Sequence, residues 1–129
     1  MQMLQTLVEN GREAQRAGSL DEAVAHFESA LTLLPMASDV LARAEVLRWV
    51  GAVHVERGDL DDASSAFHAS RIAAGCAGAS EQEAAALVCL ANIDMRRGNI
   101  DDAAEGFLKA RRLSEVASRR VRAVKIFVG

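Results

Sequence analysis

The sequence predicts an all-α chain laid out as a row of antiparallel helix pairs, and three observations carry that prediction. The hexapeptides GSLDEA, GDLDDA and GNIDDA begin at Gly18, Gly58 and Gly98, the same 40-residue step taken twice. A fixed period of this size marks stacked repeats rather than one closed core. The composition suits helices: 50% of the residues are apolar, Pro35 is the single proline, and Ala, Leu, Glu, Asp and Arg abound, residues that mostly lose little rotamer freedom in a helix. Apolar residues also recur at helical spacing on both sides of each hexapeptide.

Each hexapeptide reads as a corner between two helices. Gly18, Gly58 and Gly98 suit the left-handed residue that ends a helix, because glycine has no Cβ to clash there. Ser19, Asp59 and Asn99 follow as N-cap types, and the acidic pairs at 21–22, 61–62 and 101–102 favour the positive end of the next helix. Ser19 with Glu22 has the spacing of a capping box. Before the corners, Leu47, Val50, Gly51 and His54 fall at i, i+3, i+4 and i+7, as do Leu87, Leu90, Ala91 and Asp94. After them, Ala23 and Phe27, Ala63 and Phe67, and Ala103 and Phe107 recur at i, i+4; the small residue lets two helices approach and the ring fills the space beside it.

These patterns, LxxNGxxA…AxxxF…P from Leu7 to Pro35, LxxVGxxH…AxxxF from Leu47 to Phe67 and LxxLAxxD…AxxxF from Leu87 to Phe107, resemble tetratricopeptide repeats. Ala14, His54 and Asp94 stand where the family usually has an aromatic, and only the first copy keeps its proline. The family unit is about 34 residues, so six are added per repeat. They fall between the pairs, where Ser38 and Ser80 are candidate N-caps, Ser80 with Glu83 is a further capping-box pattern, and a longer first helix from about residue 39 to 57 is the simplest account. The resemblance implies a right-handed α-solenoid of three helix pairs plus a seventh, C-terminal helix. The repeats cover about residues 2–37, 38–78 and 79–117, and 118–129 form a partial fourth unit or capping helix. Long units of this kind are similar to arrays in large bacterial regulatory and signalling proteins.

The resemblance also implies a function: a protein–protein interaction module whose first helices hold a peptide or helix of a partner in a concave groove. Matching motif positions place Gln5, Val8, Arg12, Gln15, Glu45, Arg48, Trp49, Ala52, Val55, Ala85, Val88, Asn92 and Met95 along it, with Arg16, Glu56 and Arg96 at its edge. Arg12, Arg48 and Arg96, set among apolar patches on one face, together favour an acidic, partly apolar ligand. The family's clamp for a chaperone's terminal carboxylate is absent, since its positions hold Val8, Arg12, Trp49, Ala85 and Cys89. Trp49, the only tryptophan, is either an anchor for the partner or a spacer between repeats.

Charge and chemistry narrow the alternatives. The net charge of −3 conceals 6 basic and 14 acidic side chains in residues 1–95 against 9 and 4 in residues 96–129. The basic end, with Arg111, Arg112, Arg119, Arg120, Arg122 and Lys125, supports a second reading as a nucleic-acid-binding module. Only Phe127 is available there for base stacking, so nucleic acid is not the expected partner. His26, His54 and His68 lack metal-ligand spacing, and neither a phosphate loop nor a nucleophile elbow is present. No cofactor, metal or catalytic residue is expected, and His54 and Asp94, one repeat apart, read as a structural polar pair.

Cys76 and Cys89, 13 apart, read as small buried residues rather than as a disulfide or metal pair. The longest uncharged stretches, residues 29–38 and 84–93, are ten residues each, short of the roughly 18 a membrane span needs. The N-terminus lacks the basic segment of a secretory signal, so a cytoplasmic protein is expected if the chain is whole. Ile126, Phe127 and Val128 cannot all face inward on one helix, which points to apolar surface at the C-terminal edge. That edge is expected either to continue into a longer array or to be covered by a second copy of the chain.

Overall fold

The computed structural model describes residues 2–34 and 39–128, with side chains over 3–34 and 39–123. These residues form six α-helices and no strand: α1 (Gln2–Arg16), α2 (Leu20–Leu33), α3 (Val40–Arg57), α4 (Leu60–Cys76), α5 (Ser80–Arg96) and α6 (Ile100–Val128). From α2 onward a helix begins every 20 residues. The 40-residue period is therefore two helices of nearly equal length, 18 residues in α3 and 17 in α4. The added residues lengthen both members of the pair and not the first alone.

The three glycine corners form as the repeat predicts. Gly18, Gly58 and Gly98 take φ of 80°, 83° and 81°, and the amides of Ser19, Asp59 and Asn99 reach back to the carbonyls of Ala14, His54 and Asp94 at 2.9, 2.9 and 2.8 Å. This is the Schellman pattern, which satisfies carbonyls that a helix end leaves unpaired. Gly78 repeats it between α4 and α5, with φ of 67° and a bond from the Ala79 amide to the Ala74 carbonyl of 2.9 Å.

The seventh helix does not form separately. α6 runs for 29 residues through position 118. The residue one repeat after Gly78 is Ser118, which has a Cβ and would be strained at positive φ. With neither glycine nor proline to stop it, the helix continues. The caps also differ from expectation. The α3 cap is Asp39, whose carboxylate accepts from the Ala42 amide at 3.3 Å, while Ser38 lies outside the described residues. Ser80 is the first residue of α5 and Ala79 its cap. Neither Ser19 nor Asp59 makes a side-chain capping bond, because the Schellman geometry already fixes those chain reversals through the backbone.

Helices pack mainly on their chain neighbours. Phe27 and Phe67 are 0% and 2% exposed and sit flat against helix-interior glycines: a Cβ on Gly11 would lie 2.6 Å from the Phe27 ring, and one on Gly51 would lie 2.5 Å from that of Phe67. Phe27 also meets Trp49 of α3, with ring centroids 5.9 Å apart, so one ring joins α1, α2 and α3. Phe107 has Ala91 where the other two have glycine, carries no helix on its far side among the described residues, and is 37% exposed. Buried Ser70 donates to the Ala44 carbonyl at 2.6 Å, tying α4 to α3.

A ladder of ions runs along the corners. Arg57 pairs with Asp21 at 3.3 Å, and 40 residues on, Arg97 pairs with Asp61. Exposed pairs like these contribute little individually, about 0–1 kcal/mol. Their value is as a record of register, since each arginine ending one helix finds the acidic first turn of the helix before it. Among the described residues no helix is long and apolar enough to cross a membrane.

Candidate partner-binding groove

α1, α3 and α5, the first helices of each pair, share a face. α3 and α5 touch one another directly, and Gln15 of α1 donates its amide to Glu56 of α3 at 2.9 Å. These contacts bring α1, α3 and α5 together although α2 and α4 alternate with them in the chain.

Three concavities mark that face. The first, of about 330 Å³, lies between α1 and α3 and is lined by Gln5, Val8, Glu45 and Trp49, together with Leu4, Leu34, Asp39, Ala42 and Val46. The second, of about 580 Å³, lies between α3 and α5 and brings together Ala52, Val55, Glu56, Asn92, Met95 and Arg96 over a floor of Phe67, Cys89 and Ile93. The third, of about 420 Å³, gathers Arg48, Ala85 and Val88 with Glu81, Gln82, Ala84 and Ser114. Met95 and Val88 are exposed although apolar. Arg16 is exposed at the last position of α1.

Trp49 packs between repeats and keeps one side open. It is half-buried against Phe27 and still lines the first concavity. The Arg12 guanidinium lies over its ring, 5.2 Å from the centroid, a cation–π contact that contributes on the order of 0.5–1 kcal/mol at such a site. Arg12 is thus held in place at the mouth of the groove with donors to spare for an anion.

The cysteines depart from expectation. Cys76, at the end of α4, is exposed. Cys89 is partly buried in the floor of the second concavity; burial pushes its thiol pKa up, against the opposing pull of the Arg48 cation. His54 makes no pair with Asp94 among the described residues. Its Nδ1 is buried without a partner, and its imidazole groups with Asp59 and Asp62, ligand atoms within 4.8 Å of one another. That spacing of five and three residues becomes a cluster only when the Gly58 corner closes, which is why helical periodicity missed it. Asp59 is also held by Arg57 at 3.5 Å.

Leu4, Ala42, Val46 and Ile93 were likewise not singled out, because their apolar type signals packing and says nothing of a partial opening to solvent. On the basic end, Arg111, Arg112, Arg119, Arg120 and Arg122 are all exposed along α6, with Arg111 paired to Glu115 at 3.4 Å. The Lys125 and Phe127 side chains lie outside the described residues. In comparison with known proteins, no family model and no curated protein matches this chain.

Proposed function

We propose that this protein is a tetratricopeptide-like, right-handed solenoid that binds a peptide or helix of a partner protein along the inner face of α1, α3 and α5. One observation carries the reading: the residues placed on the groove by repeat position, apart from Arg12, Gln15 and Arg16, line three concavities of about 330, 580 and 420 Å³. The openings carry Arg48 and Arg96 beside Glu45, Glu56 and Glu81, with Arg12 on Trp49, and the ligand we read from them is a peptide with apolar anchors whose carboxylates meet the three arginines. Apolar burial supplies affinity and the guanidinium groups supply orientation by charge-assisted hydrogen bonds.

The test uses peptides selected from a displayed random library against the immobilised chain and titrated by the fluorescence anisotropy of a dye on the peptide. Acidic-apolar sequences are expected to emerge, and Trp49→Ala and Arg48→Glu each to weaken them by tenfold or more. Selected peptides indifferent to both substitutions would refute the groove. The nucleic-acid reading has five exposed arginines on α6 in its favour; it predicts a steep loss of affinity for a labelled oligonucleotide as salt rises, abolished by Arg119→Glu with Arg122→Glu.

A further inference from the structure

The outer face of α6 differs from the same face of α2 and α4 in two ways. On α2 and α4 the next helix covers the phenylalanine and places an arginine against the first-turn aspartate, Arg57 on Asp21 and Arg97 on Asp61. On α6 the equivalent Phe107 is exposed and the equivalent Asp101 has no ion-pair partner among the described residues. The repeat therefore specifies what this face accepts: an antiparallel helix that presents a basic residue to Asp101 and small or aliphatic side chains to Phe107.

We propose that the occupant is α6 of a second copy of this chain, packed antiparallel about a two-fold axis. The charge pattern of α6 supports this choice. Its first turn is acidic, with Asp101 and Asp102, and its later turns carry Arg119, Arg120 and Arg122. Antiparallel self-pairing brings each acidic end to a basic end, whereas parallel pairing opposes like charges. The stripe that continues the Phe107 face holds Ile100, Ser114 and Val121 at seven-residue steps, the period of a helix–helix seam. With the axis near Arg111, each Asp101 meets the other copy's Arg122, each Ile100 meets Val121, and small Ser114 and Ser118 receive Phe107. Ile100 and Val121 are both 55% exposed.

Head-to-tail stacking on α1 lacks this fit. The α3 residues that seat against α2 include Val46, Trp49 and Val53; the matching α1 positions are Thr6, Glu9 and Glu13, and Ala17 stands where Arg57 stands. An isologous pair closes on itself, whereas head-to-tail contacts grow.

Sedimentation of the full chain over rising concentration reads the outcome. A monomer–dimer equilibrium that weakens with salt and is lost in Val121→Asp is expected. Asp101→Arg and Arg122→Asp should each weaken the dimer by about tenfold, because symmetry applies every reversal twice, and the double variant should restore it. In a Cys76→Ser, Cys89→Ser background, Ile100→Cys with Val121→Cys should oxidise to a covalent dimer and nothing larger. A chain that stays monomeric at millimolar concentration, association that grows past the dimer, or a double charge reversal that fails to restore pairing would each overturn the proposal. The groove reading stands or falls separately, since Ile100, Asp101, Val121 and Arg122, which carry the charge and seam variants, line none of its three concavities.

Discussion

The two well-seated rings rest on glycines and the loose one on the methyl of Ala91. Gly11 and Gly51 accept Phe27 and Phe67 because they have no Cβ, so Gly51→Ala drives a methyl into a ring 2.5 Å away, and overpacking of this kind costs roughly 1–3 kcal/mol. Gly106→Ala meets only the Ala91 methyl at 3.2 Å, a contact relieved by a small shift while the helix gains propensity. Gly58→Val finds open space but keeps a φ of 83°, which a β-branched residue reaches only with strain. Urea denaturation should rank Gly51→Ala and Gly58→Val well below Gly106→Ala; equal midpoints would contradict these seats. The corner glycines at 18, 58 and 98 were legible from their repeat and cap neighbours, whereas Gly11 and Gly51 entered the sequence reading as members of the repeat motif and not as seats for the rings. Cys89 adds a pH prediction. Its raised pKa means the neutral thiol is favoured in the fold, so its contribution to stability is present below the unfolded value of about 8.5 and is lost as pH rises through the folded one. Alkylation of Cys89 should therefore need higher pH than alkylation of exposed Cys76, and equal rates would show the floor of the groove to be open.

The helices differ in how their ends are made. Asp39 caps α3 through its carboxylate, so Asp39→Ala should cost about 1 kcal/mol; Ser19→Ala should cost less, because the Ser19 side chain makes no capping bond. Thermal melts of the two variants separate these cases. Period alone placed a helix start at Ser118, and it failed because periodicity records what the other repeats do and not whether a stop residue is present. Arg119→Pro tests the continuity of α6. Proline fits the first position of a helix but clashes in its interior, so helical circular dichroism should fall and the amides after residue 119 should lose protection from hydrogen exchange. A variant as helical as the parent would restore the separate seventh helix.

At the scale of the whole molecule, the all-α class and the order of the elements followed from three copies of one hexapeptide, since a helix–corner–helix pattern leaves a row of neighbours little alternative. The same register assigns the proposed groove positions, because it decides which face a residue shares. What the register could not show was depth, such as the stacking of Arg12 on Trp49, or corner chemistry such as His54 with Asp59 and Asp62, both of which depend on contacts between different helices. The central claim is that partners bind on the inner face of α1, α3 and α5, and Cys89 in the floor of that face offers the most direct measurement. The rate of its alkylation by a maleimide is compared with and without a saturating selected acidic-apolar peptide, with Cys76 on α4 as the internal reference. Binding in the groove predicts that Cys89 is slowed in proportion to occupancy while Cys76 is unchanged; a Cys89 rate indifferent to saturating peptide would contradict it.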